Sequence, residues 1–212
     1  GLASLRLAMP FALVGSVASI AGALLGLALP AALMQTALGI SILAIAALIW
    51  RSKRAEYPEV AAPDRLAAAL RLNGVFHDPV GSRDVHWQTH RTSAGLALFA
   101  GIGLLAGMFG LGAGWANVPV LNLVLGAPLK VSVATSGVVL SVVDTSAAWI
   151  YLHSGAVLPL IAVPSIVGVM LGAKIGARLL RVAPAANVRK LVMAMLIIAG
   201  ARSLLKGTGL WT

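Results

Sequence analysis

Long apolar runs separated by short polar breaks dominate the chain. The first runs from about Leu7 to Leu29 and the second from about Ala31 to Trp50. A polar stretch follows from Arg51 to about Thr92. The third run starts near Ala94 and passes into the glycine-rich segment GMFGLGAGWANVPVL, Gly107 to Leu121. The fourth covers about Val131 to Tyr151, the fifth Ala156 to Leu180 and the sixth Val188 to about Leu205. About 20 apolar residues at 1.5 Å rise cross a hydrocarbon layer of about 30 Å. Helices are the expected form, because a helix satisfies its own backbone in lipid. Nothing shows the alternating ten-residue pattern of an outer-membrane barrel. The pattern predicts an all-α, polytopic integral membrane helix bundle of about six spans. Within the polar stretch, DRLAAALRLNG predicts a short surface helix.

Composition agrees. The 212 residues are 59% hydrophobic and 10% charged, and mean hydropathy is +0.96. Soluble domains carry about 25% charged residues. A formal charge of +10 would suggest nucleic acid in a soluble chain. Here most Lys and Arg stand in loops or at span ends, where topology and anionic headgroups call for them. Nucleic acid is therefore not an expected partner. There is no cysteine, which excludes disulfides, thiol catalysis and Cys-ligated metals. His86 and His90 of HWQTH lack the Glu of HExxH and fall in the polar stretch, so they read as a bare loop pair and no metal site is expected. Trp50, Trp149, Tyr151 and Trp211 sit at run ends, as an interfacial belt requires.

The chain echoes itself. ASIAGALLGL, Ala18 to Leu27, aligns with GVMLGAKIGA, Gly168 to Ala177, and each run is followed by a proline, Pro30 or Pro184, and another apolar run. Internal repeats are common in secondary transporters. The simplest reading is a duplicated four-span unit whose first copy lacks its first half. It divides the chain into residues 1–50, the end of a first repeat; 51–92, a polar inter-repeat loop; and 93–212, a second repeat. The sequence starts at Gly1, and a fragment is the expectation. Gly168, Gly172 and Gly176, and in the first run Gly15, Ser19, Gly22 and Gly26, form small-residue stripes suited to close helix approach. If every run crosses once, basic residues divide between both sides; if the third run is re-entrant, the count changes. Orientation stays open at this point.

The glycine cluster first suggests a nucleotide loop. A dinucleotide fingerprint needs a strand before it, a helix after it and an acidic residue about 20 positions on. Apolar runs flank the cluster here, and the next acidic residue, Asp144, lies inside another run. The expected role is a broken membrane helix. Gly110, Gly112 and Gly114 permit positive φ, and Pro119 removes a donor and obstructs the turn before it. Irregular backbone survives at membrane depth only inside protein or beside a water-filled cavity. Free N–H groups at such a break attract anions. Asn117, Asn122, Thr135 and Ser136 are candidate partners for the oxygens of a small anion, or caps for helices and neighbouring carbonyls. A packing kink is the plainer alternative for the break itself.

Asp144 is the acidic residue within an apolar run, a costly placement that marks a functional candidate. Two roles compete: carrying a proton coupled to transport, or pairing with Lys174 or Arg178 as structural glue.

These residues resemble a family. GMFGLGAGWANVPVLNLVLGAPLKVSVATS, Gly107 to Ser136, looks like the signature of the sulfite exporter TauE/SafE family, also called the 4-toluene sulfonate uptake permease family. Its glycine cluster, Val118-Pro119-Val120-Leu121, Gly126-Ala127-Pro128 and Ala134-Thr135-Ser136 follow the pattern. SGAVLPLIAVPSIVGVMLGAKIGARLL, Ser154 to Leu180, resembles a later glycine-rich span. Ala113 replaces a glycine usual in the cluster, and Trp115 is bulky for its place. The resemblance implies a two-repeat inner-membrane permease for sulfite, sulfonates or other organosulfur anions, working by alternating access without a cofactor. Partners would be the small anion, the lipid bilayer, protons and further copies of the chain. The rival readings are an ion channel and a structural or assembly subunit without transport. An enzyme finds no nucleophile–base–acid set to use.

Overall fold

A computed structural model describes residues 3–51, 58, 60, 62–78, 83–110, 112, 114–180 and 185–209. Ala113, Pro184 and Trp211 of the sequence reading lie outside them. The helices are α1 (Leu5–Ala28), α2 (Ala31–Arg51), α3 (Arg65–Ala69), α4 (Thr92–Phe109), α5 (Gly114–Pro119), α6 (Leu129–His153), α7 (Pro159–Leu180) and α8 (Ala185–Gly207). A π turn, Val120–Val124, continues α5. Among the described residues, α1, α4, α6 and Pro159–Gly176 of α7 are long and apolar enough to span a bilayer, and Ala31–Ala47 is a shorter apolar helix. The protein is thus an all-α membrane bundle, as its pattern predicts.

One small departure lies in the polar stretch. Strand β1 (Asn73–Asp78) pairs antiparallel with β2 (Arg83–Gln88). Phe76 and Trp87 are buried, and the Trp87 ring lies over Gly74, where an added Cβ would sit 2.9 Å from it. His86 is therefore a strand residue and not part of a loop pair. The short helix expected from DRLAAALRLNG is α3.

The chain forms two compact units. In the first, α1 packs along α4 through small residues on both helices. A Cβ on Gly103 would collide with the backbone of Gly15, one on Gly107 with Ser19, and one on Gly22 with Leu104. Phe11 and Phe99 stack at 4.9 Å between ring centroids. Numbers rise together along both helices, so α1 and α4 run parallel. Helix α6 runs the same way. The Ser4 N–H at the start of α1 donates to Thr135 Oγ1 at 3.1 Å, and farther along Ser19 Oγ donates to the Val143 carbonyl at 3.2 Å.

In the second unit α2 and α8 run antiparallel. Ser203 Oγ donates to the Gln35 carbonyl at 2.9 Å, Gly207 lies against Thr36, and Gly200 lies against Leu43. Among the described residues, the stripe Gly168, Gly172 and Gly176 on α7 takes no such neighbour: a Cβ on any of them meets nothing within 4 Å. Gly15, Ser19 and Gly22 of the α1 stripe pack helices, as expected from their spacing.

Candidate functional site

The candidate residues from Gly110 to Asn122 lie on a helical hairpin. Helix α4 ends at Gly110, whose φ of 64° leaves the helical region, and Gly112 follows at φ 66°. Both conformations favour glycine, because a Cβ crowds the following carbonyl there. The chain then reverses into α5. Pro119 ends α5 without a donor for the preceding turn, and the ladder relaxes into the π turn, closed by Leu125 N–H to the Val120 carbonyl at 3.0 Å.

The reversal brings the chain back to where it left. The His90 N–H donates to the Leu125 carbonyl at 3.0 Å. Gly126, at φ 82°, lies against Val60 and His90. Asp64 grips the base: its carboxylate accepts from the Thr92 N–H at 3.1 Å and from Thr92 Oγ1 at 2.7 Å. Arg91 adopts a left-handed conformation and its side chain gives α4 no cap, so Asp64 supplies that acceptor from a distant segment. Gln88 Nε2 donates to the Val60 carbonyl at 2.8 Å, and Thr89 Oγ1 donates to the Leu72 carbonyl at 3.0 Å. Residues between Pro58 and Arg91 thus cap the end from which the hairpin starts.

The far end of the hairpin leans on α6. A Cβ on Gly112 would lie 3.2 Å from Asp144 Oδ2 and 3.4 Å from Leu140 Cδ1, and one on Gly114 would lie 3.5 Å from Leu140. The glycine break and the half-buried carboxylate therefore face one another.

The polar candidates separate by what they touch. Asn122 Nδ2 donates to the Ala127 carbonyl at 2.9 Å, and Ser132 Oγ joins the same oxygen at 3.1 Å, which fixes the Gly126-Ala127-Pro128 turn. Thr135 Oγ1 receives the Ser4 N–H. Ser136 is buried on the same helix. Asn117 differs from these. It is 0% exposed, yet among the described residues neither Oδ1 nor Nδ2 has a hydrogen-bond partner. Buried polar groups almost always find partners, and an orphan carboxamide at a helix break calls for one. Lys174, exposed on α7, belongs to the second unit.

Three contributors escape sequence reasoning. Leu140 supplies the apolar wall against Gly112 and Gly114. The Ser16 hydroxyl on α1 is also buried without a partner. Asp64 lies 28 positions from the helix it caps. Only Ser16 carries a signal, as a polar residue inside an apolar run.

The sulfite exporter TauE/SafE profile matches residues 1–203. A curated relative, the "Probable membrane transporter protein YunE" of Bacillus subtilis (strain 168), is 29% identical over 132 residues. That match covers 62% of this chain and 48% of the relative, so the chain spans about half the length of that protein. No solved structure gives a significant match. With nearly the whole chain under the family profile, this multi-pass membrane protein belongs to the sulfite exporter TauE/SafE family.

Proposed function

We propose that the chain moves small anions, of the sulfite or sulfonate class, by alternating access about the Gly110–Gly114 break. The observation that carries this reading is Asn117: a fully buried carboxamide with both polar atoms unpartnered, directly after the break. Its Nδ2 would donate to an oxyanion, together with backbone N–H groups that the glycines leave outside the helical ladder. Ser136 would add a hydroxyl. Asn122 and Thr135 would hold the surrounding backbone in register. The family name supports the substrate class, and the relative's name supports membrane transport.

Asp144 then takes a defined part. An anion bound beside a carboxylate is repelled unless that carboxylate is neutralised. A proton on Asp144 would do this, so anion and proton would bind together. The sign follows: protonation favours binding, so binding tightens as pH falls.

The test is a thermal-shift titration of the purified protein with an alkyl sulfonate, which stays singly charged across the pH range. A ligand of the folded state raises the melting temperature. We expect a shift that grows as pH falls in the wild type, is lost in Asn117→Leu, and becomes independent of pH in Asp144→Asn. An unchanged pH slope in a folded Asp144→Asn protein rejects the proton role. A full shift in Asn117→Leu rejects the site.

A further inference from the structure

We infer that the segment from Thr92 to Pro128 enters and leaves the membrane on one face, and that this face is cytoplasmic. The inference concerns sidedness and holds whatever solute the protein carries.

The first observation is the return of the chain. A single crossing of a hydrocarbon core of about 30 Å would carry Leu125 far from His90. Instead their backbones share a hydrogen bond of 3.0 Å. Helices α1, α4 and α6 also run in the same sense, and the starts of α1 and α6 meet through Ser4 and Thr135. A chain that crossed through α4 and stayed across would begin α6 from the opposite face.

The second observation comes from the other unit and is independent. Between the end of α2 and the start of α8 lie the hairpin, α6 and α7. If the hairpin counted as one crossing, three crossings would separate the two helices and they would point the same way. If it counts as none, two crossings separate them and they must point oppositely. They are antiparallel, with Gln35 against Ser203 and Leu43 against Gly200.

Charge then assigns the face. With a re-entrant hairpin, one side receives Arg6, the basic residues of the polar stretch, Lys130, the end of α7 with Lys174 and Arg178, Arg181, and the start of α8 with Arg189 and Lys190. Of the 16 lysines and arginines, only Arg202 and Lys206 fall toward the other side. A single-crossing reading splits the same charges between both faces. The positive-inside rule makes the rich side cytoplasmic. The short segment between α6 and α7, around Ser154, then faces outward. The glycine break lies deep in the bilayer, since Gly112 meets α6 at Leu140 and Asp144, more than ten residues beyond its start.

The chain has no cysteine, so single-cysteine labelling needs no background removal. Full-length Ala62→Cys, Ser154→Cys and Thr208→Cys variants would be expressed in a bacterial inner membrane. Spheroplasts, intact or permeabilised, would be treated with a membrane-impermeant maleimide. All three positions are exposed in the fold, and Ala156→Cys replaces Ser154→Cys should that variant fail to accumulate. We expect Ser154 and Thr208 variants to label in intact spheroplasts, and Ala62 only after permeabilisation. Labelling of Ala62 and Ser154 variants from the same side overturns the re-entrant path. Labelling of Ala62 from outside with Ser154 protected overturns the orientation.

Discussion

Substitutions at Asn117 and Gly112 should shift stability in opposite senses. Replacing an unpartnered buried carboxamide by an apolar side chain of similar volume removes a desolvation cost of about 1–3 kcal/mol. Asn117→Leu should therefore melt no lower than the wild type in detergent, and higher if the pocket accepts its methyls. A lower melting temperature would show that the carboxamide is structurally required. Gly112→Ala should act in the opposite direction. Its φ of 66° costs a non-glycine residue about 1–2 kcal/mol, and its Cβ would press on Asp144 Oδ2 at 3.2 Å. Thermal unfolding of Gly112→Ala beside Gly101→Ala checks this, since a Cβ on Gly101 meets nothing within 4 Å. The glycines, Asn117 and Asp144 were legible in the sequence because polar and flexible residues are conspicuous in an apolar run. Their division of labour was not. That Asn122 and Thr135 serve the backbone while Asn117 stays unpartnered depends on which carbonyl lies nearby, and spacing carries no such information.

At the scale of elements, the seam between α1 and α4 is the tightest contact described. Gly107→Leu would drive a side chain into the backbone of Ser19. The expected cost is about 3 kcal/mol or more, seen as loss of the monodisperse protein on size exclusion, whereas Gly101→Leu should be tolerated. The Asp64 cap makes a second prediction. Asp64→Ala should cost about 1–2 kcal/mol and open the segment before Thr92 to limited proteolysis, with Asp64→Asn intermediate. The helices themselves were readable, because a bilayer leaves an apolar run little alternative. The β-hairpin was not. Its strands are six residues each, and the pairing of Phe76 with Val85 rests on partners that no period announces. The stripe on α1 predicted close packing but could not name α4. The matching stripe on α7 meets no partner among the described residues, so small-residue spacing permits close packing without guaranteeing it.

For the whole molecule, the decisive feature is a path that composition could not reveal. A crossing helix and a hairpin that turns back both appear as an apolar run with glycines. The bond between His90 and Leu125 separates them, as does the antiparallel pairing of α2 with α8. Once it does, the charges that conflicted under single crossings fall largely on one side. That hairpin also has a mechanical consequence. It is pinned at its base by two attachments, Asp64 to Thr92 and His90 to Leu125. Helix α4 is an arm of 18 residues, about 27 Å long at 1.5 Å per residue. Farther out, Gly103 and Gly107 seat α4 against the backbone of Gly15 and Ser19 on α1. A tilt about that base must therefore carry α1 with it, and about ten degrees displaces the tip by roughly 5 Å at that length. Spin labels at Ser93 and Leu123 should keep their separation when a sulfonate binds, as should labels at Leu13 and Gly101; a change in the second pair would show that α4 moves without α1. The clamp and the seam together make α1 and α4 a single lever.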